Sequence, residues 1–266
     1  MQIEASTPHM PAFPSPSAHV APEGFPSATA RIRRHGPQRQ DPALDLKIGQ
    51  MLCSRLCHDL IGPTAAINAG EELIRDASAG AADSEDAHEL IAGSARQLAG
   101  RLTFFRIAFG QSGSPGSGLT YAEVRELAEG FLFGGRSRLE WQPNAGDLFG
   151  DGVLSGDGAR LLLCLIMLAA DALPRGGRVC VRVEEEGARS RLSLTAEGAA
   201  ARLSPEILAA LHATEVSAVT SRTVHAFYLS CLAARLHVAI ELDAETNGCM
   251  QFMASVPAGF VERRRG

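Results

Sequence analysis

The sequence predicts an α-helical hairpin that forms a dimeric four-helix bundle, followed by an α+β sandwich. Three observations carry this expectation. From Ala43 to about Ala77 the apolar residues follow a helical period, and a second helical stretch succeeds it. The run Gln111–Gly118, QSGSPGSG, has the composition of a flexible linker. Beyond it, short alternating segments rich in Val, Leu and Ile interleave with apolar helical segments, as helices packed on one face of a mainly antiparallel sheet require.

Residues 1–42 hold eight of the fourteen prolines and show no helical period. Such a stretch buries too little surface to offset its ordering entropy and reads as a disordered tail. Arg31, Arg33 and Arg34 hint at a targeting peptide, but the surrounding prolines would break its amphipathic helix. The hairpin is assigned to residues 43–110. With His58 at zero and about 100° per residue, Leu52, Leu56, Leu60, Pro63, Ile67 and Ile74 fall between roughly 120° and 200°. His58 stands on the opposite side. The second helix is expected over about Ser84–Phe109, with Leu90, Ile91, Leu98, Leu102, Phe105 and Phe109 as its apolar set. Two helices alone make a poor core, so the hairpin is expected to complete a four-helix bundle in a homodimer.

After the linker at 111–118, residues 119–260 are assigned to the sandwich and 261–266 to a basic tail. Within the sandwich, helices are expected at about 120–132, 157–172, 204–213 and 223–236, and strands near 138–142, 178–185, 190–196, 238–243 and 250–256. Asn247-Gly248 marks the turn of a closing hairpin.

Composition narrows the function. The 266 residues carry 25 Lys+Arg against 30 Asp+Glu, a net charge of −5 that argues against a dedicated nucleic-acid binder. One Trp, two Tyr and eleven Phe are too few for a base-stacking platform. The longest apolar run, Leu161–Ala170, is shorter than a membrane span, and no secretory leader pattern is present. Six Cys without framework spacing read as reduced thiols, so a cytoplasmic location is expected.

The segment Leu56–Pro63, LCHDLIGP, is where chemistry is expected. An exposed mid-helix imidazole is available as a nucleophile. Asp59 can orient the ring or balance charge on it. Arg55, three residues before His58, can neutralise a phosphoryl group. Gly62, at i+4, leaves room for a partner surface. Pro63 lacks an N–H and presses on the carbonyl of Asp59, loosening the helix one turn past the histidine. Taken alone, the segment is equally compatible with an ordinary surface histidine followed by a tolerated proline.

His58-Asp59-Leu60-x-x-Pro63 resembles the H-box of histidine-kinase dimerisation and phosphoacceptor domains. The longer run Leu52–Leu73, LCSRLCHDLIGPTAAINAGEEL, is similar to the ChpT-type bacterial histidine phosphotransferases. The resemblance covers roughly residues 44–258 and implies a helical-hairpin dimer carrying the active histidine, followed by a degenerate kinase-like ATPase domain. Aligned on that domain, Leu168 occupies the place of the Asn that ligates nucleotide-bound magnesium, which needs oxygen ligands. Ala196-Glu197-Gly198-Ala199-Ala200 lacks the adenine-reading carboxylate, and Ser221–Phe227 lacks the glycines that let backbone N–H groups wrap phosphates. No cofactor of its own is therefore expected, with Mg²⁺ supplied by partner receiver domains.

The resemblance implies a phosphorelay intermediate. His58 would take a phosphoryl group from a receiver aspartate of a CckA-like hybrid kinase and pass it to CtrA-like and CpdR-like response regulators. His58 would be the phosphoacceptor, Asp59 and Arg55 its assistants, and Gly62 and Pro63 part of the docking face. A non-catalytic receiver-binding adaptor is the alternative, and an active sensor kinase is opposed by the nucleotide-box losses. Elsewhere, Cys53 and Cys57 lie one turn apart but lack further ligands and are expected to pack against the bundle. Asp147–Gly158 only partly matches a calcium loop, and His212, His225 and His237 have no acidic or thiol neighbour at ligand spacing and read as structural.

Overall fold

Two long helices, α1 (Pro42–Arg75) and α2 (Ala81–Ala108), lie antiparallel along one another. The computed structural model describes residues 30–32, 42–76, 81–110, 118–142, 152–186, 189–245, 248–257 and 261–263. The rest of the proline-rich tail, linker residues 111–117, Asp147 and Asp151, Asn247 and Arg264–Arg265 lie outside these. The apolar arc of α1 faces inward for most of its length: Pro63 is buried, and Leu52, Leu56, Leu60 and Ile67 are half-buried. Ile74 departs from the expected arc, being 38% exposed near the end of α1.

The helices that follow begin on local capping signals. Thr120 and Glu123 form a reciprocal capping box at the start of α3 (Tyr121–Leu132). Ser155 caps α4 (Gly156–Asp171), and Ser204 caps α5 (Pro205–His212) with proline in its first turn. A 3-10 turn at Val216–Ala218 precedes α6 (Val224–Arg235).

The main sheet has six strands. In chain order these are β1 (Ala30–Ile32), β3 (Ser137–Trp141), β5 (Gly177–Glu186), β6 (Arg189–Glu197), β7 (Ile240–Glu245) and β8 (Cys249–Pro257). Their spatial order is β1-β7-β8-β6-β5-β3, antiparallel except for the β3–β5 pair. Alternate residues point inward: Val179, Val181 and Val183 from β5, Leu192, Leu194 and Ala196 from β6, and Phe252, Ala254 and Val256 from β8. They pack beneath α4, whose residues Leu161–Ala169 are buried on every side, as in a helix sandwiched between layers.

Four short strands are additional to the sequence-based expectation, two of them in segments read as tails. Ala30–Ile32, inside the stretch read as a disordered tail, pairs with β7 and forms the sheet's edge. Val261–Arg263, read as part of a solvated basic tail, is strand β9, paired with β4 (Gly152–Leu154) in a small sheet that also holds β2 (Leu119–Thr120). Both strands are three residues long, too short to show a period of their own. The neighbouring edge, which offers unpaired N–H and C=O groups, determines them.

The hairpin and the sandwich share one core. Phe104, Phe105 and Ala108 from the last turns of α2 are buried with residues of α3 and α4, and Phe104 stacks on Phe131 with ring centroids 4.1 Å apart. Arg160 of α4 donates to the carbonyl of Gly110 at 2.9 Å. Between α2 and α3 the backbones meet at Gly100 and Gly130, where a Cβ on Gly100 would collide with the Gly130 carbonyl oxygen. Gly100→Ala is therefore expected to lower the unfolding free energy by about 1–3 kcal/mol. Gly93→Ala, on the same helix with nothing within 4 Å of the added atom, should raise it by up to about 1 kcal/mol. Urea denaturation of both variants checks the contrast, and equal effects of the same sign would contradict this crossing.

Candidate phosphotransfer site

His58 sits midway along α1 with its side chain 78% exposed. Its Nδ1 lies 3.2 Å from Asp59 Oδ1. A carboxylate can only accept, so this contact is a hydrogen bond in the tautomer that carries its proton on Nδ1, leaving the lone pair on Nε2. A Cβ added to Gly62 would meet nothing within 4 Å, so the surface one turn beyond His58 is open. Ile61, beside it, is an exposed apolar side chain. An unobstructed imidazole with an oriented ring and a flat, partly apolar approach can receive a group from a docked protein.

Asp59 is held from three directions. Its Oδ1 meets His58 and its Oδ2 accepts from Arg55 Nε at 2.8 Å. The third contact is to its backbone. Pro63 stands four residues on and has no N–H, so the Asp59 carbonyl lacks its helical donor. Arg101 Nη1, reaching across from α2, donates to that carbonyl. Burial pulls the Arg101 guanidinium below its ordinary value; the Asp59 carboxylate opposes that shift and the charge of Arg55 adds to it. The helix therefore runs through Pro63 without ending.

Two expected roles change. Pro63 is buried rather than on a docking face, so its influence on the site runs through the carbonyl it leaves unpaired. Arg55 was expected to neutralise phosphate, yet Nε is bonded to Asp59, Nη1 donates to the Arg222 carbonyl at 2.8 Å, and Nη2 lies 3.7 Å from Asp171 Oδ1. With its side chain only 17% exposed, Arg55 is a clamp between α1 and the second domain. Arg101 was missed by sequence reasoning, although the proline itself signals that a donor is needed.

Of the remaining residues, Cys53 and Cys57 were expected to pack but are both exposed, because they fall outside the apolar arc. Burial pushes the Cys164 thiol up to about 12, which removes it as a nucleophile. His225 does have an acidic neighbour in space: its Nε2 is 2.6 Å from Asp171 Oδ2, 54 residues away in sequence. The segments aligned with nucleotide boxes are partly packed. Leu168 and Ala196 are fully buried, and Thr223–Phe227 is buried throughout. Val224 and Phe227 of the last segment, with Val216 and Val219 before it, pack against Ile48, Met51 and Leu52 of α1.

Comparison with known proteins places the chain among the histidine phosphotransferases. Residues 121–248 match the family model for the histidine phosphotransferase C-terminal domain. Over 204 residues the chain is 35% identical to "Protein phosphotransferase ChpT" of Brucella abortus (strain 2308), covering 76% of this chain and 91% of that protein. A solved structure described as that of a bacterial phosphotransferase is similar with a TM-score of 0.64 at 31% identity, over 79% of this chain and 96% of the other. The Acinetobacter baumannii histidine kinase AdeS is a more distant neighbour, at 11% identity and a TM-score of 0.38 over 75% of this chain and 97% of that one.

The proline–arginine pairing yields a double-mutant cycle. Arg101→Ala leaves a carbonyl without its donor and should cost about 1–3 kcal/mol. In a Pro63→Ala background the restored N–H can serve that carbonyl, so the same change should cost about 1 kcal/mol less. Thermal and urea unfolding of the four proteins measures the coupling, and strict additivity would contradict the pairing.

Proposed function

The chain belongs to the ChpT-type histidine phosphotransferases, and on that premise we propose that His58 is the phosphoacceptor of a two-way aspartate–histidine phosphorelay. The observation that carries this reading is the His58–Asp59 contact on an otherwise open helix face. With its proton held on Nδ1, the ring attacks through Nε2. The N–P bond forms as the P–O bond to the donor aspartate breaks, and the carboxylate leaves with the donor. The phosphorylated ring keeps its Nδ1 proton and carries a positive charge, which Asp59 balances. In the second half-reaction a receiver aspartate attacks phosphorus, and the imidazole departs in its starting tautomer. Catalysis of this kind is chiefly positioning and electrostatics.

The donor is the receiver domain of a CckA-like hybrid kinase, and the recipients are CtrA-like and CpdR-like regulators. Those receivers bring Mg²⁺. The chain takes no phosphate from ATP itself, a reading supported by Leu168, by Ala196 and by the glycine-free, buried Thr223–Phe227 segment packed on α1. Radiolabelled transfer tests these statements together. Wild-type protein should acquire acid-labile label from a phosphorylated receiver, release it to a second receiver, and take none from labelled ATP. His58→Gln should acquire none while still binding receivers. Label on His58→Gln would refute the assignment, and label from ATP would restore the sensor-kinase reading.

The working unit is a homodimer joined through the hairpins. Ile74 on α1 and Leu90 and Leu102 on α2 are 38%, 40% and 49% exposed in one chain, and a second hairpin supplies the cover that a four-helix bundle needs. Such an interface is of the obligate class, on the order of 2,000 Å² or more. Sedimentation at micromolar concentration should give a dimer, and Leu102→Lys should shift it towards monomer. A monomeric wild type would exclude this arrangement.

A further inference from the structure

We propose that Asp171, in the second domain, is a positioning residue for phosphotransfer, acting on His58 through Arg55 and Asp59. The inference rests on the reading of His58 as phosphoacceptor and goes beyond it by giving the sandwich domain a part in the chemistry. The contacts form one unbroken path. His58 Nδ1 meets Asp59 Oδ1 at 3.2 Å, and Asp59 Oδ2 meets Arg55 Nε at 2.8 Å. Arg55 Nη2 faces Asp171 Oδ1 at 3.7 Å, while Nη1 is fixed by the Arg222 carbonyl at 2.8 Å. Asp171 Oδ2 in turn lies 2.6 Å from His225 Nε2. That last contact is too bent for an aligned hydrogen bond, and among the described residues His225 Nδ1 has no hydrogen-bond partner.

The physical reason is the shape of guanidinium. Its donors point in fixed directions in one plane, so anchoring the outer nitrogens fixes where Nε points. The Arg222 carbonyl, in the turn before α6, anchors Nη1 by a hydrogen bond, and Asp171, the last residue of α4, draws Nη2 by an ion pair at 3.7 Å, so the fork is biased to aim Nε at Asp59. Asp171 also supplies charge balance. Arg55 and Arg101 bring two positive charges to this half-buried junction, and Asp59 alone offers one negative charge. Asp171 also lies against His225, which is 3% exposed. Without Asp171 the Arg55 fork is held at one outer nitrogen only. It can then rotate, Asp59 loses its fixed orientation, and the His58 ring redistributes between its two neutral tautomers. Only the tautomer with its proton on Nδ1 presents a lone pair at Nε2.

The test uses the full-length protein and one phosphorylated receiver domain as probe. For Asp171→Asn, the single-turnover transfer rate should fall on the order of tenfold, with the receiver dissociation constant unchanged. Imidazole ¹⁵N NMR should show a smaller Nδ1–H population for His58 than in wild type. Asp171→Glu, which keeps the carboxylate, should recover most of both. A wild-type rate in Asp171→Asn, or a reduced rate with unchanged tautomer populations, would overturn the proposal. Should Asp171→Asn fail to fold, Arg55→Lys carries the same test, since lysine keeps the charge but has no fork to span Asp59 and Asp171. The NMR readout needs no transfer, so a wild-type protein that accepts no phosphate would remove the phosphoacceptor reading and leave the positioning of the ring to be decided on its own.

Discussion

One backbone carbonyl, that of Asp59, organises this molecule's site. The proline four residues later cannot donate to it, and an oxygen half-withdrawn from water without a donor is costly. Arg101 from the second helix answers that need. The same bond fixes how α1 and α2 are registered against each other. It also keeps the residue next to His58 from twisting, at the very turn where proline weakens the helix. The irregularity is thus a binding point: the place where the first helix is least able to hold itself is where the second helix takes hold. Asp59 is consequently oriented through its backbone as well as its carboxylate, and the imidazole beside it inherits that order.

A second clamp ties this arrangement to the sandwich domain. Arg55 spends its nitrogens on Asp59, on the Arg222 carbonyl and on the approach to Asp171. The turn it bonds to belongs to the segment that would cradle phosphates in a nucleotide-binding relative. Here that segment carries Val224 and Phe227 packed on α1. The segment is a packed support for the helix bearing the histidine.

Much of this was legible in the chain. The longer helices and strands from α3 to β8 lie within a few residues of their expected positions because local signals mark them. Thr120 and Glu123, Ser155, and Ser204 with Pro205 open helices, and alternation along β6 and β8 marks their buried faces. His58 stood out because exposure on a helix follows from its period alone. Residues whose roles depend on distant partners were not legible. Arg101 acts 42 positions from Asp59, and Asp171 lies 54 from His225. No spacing rule reports such pairs. Arg55 was misjudged for the same reason: its distance from His58 along the helix was visible, but the second domain that captures its guanidinium was not. The three-residue strands β1 and β9 escaped because an edge elsewhere dictates them.

The shared core has a consequence for the molecule's history. Phe104, Phe105 and Ala108 close the second helix inside the sandwich, and the Gly100–Gly130 crossing leaves no space between the two backbones. The hairpin can therefore not be exchanged as a cassette between proteins, nor can it swing on a tether as a detachable module does. Changes on one side of that seam constrain what the other side can accept. A lineage of such proteins would diversify its partners by redecorating exposed positions around His58 rather than by shuffling parts.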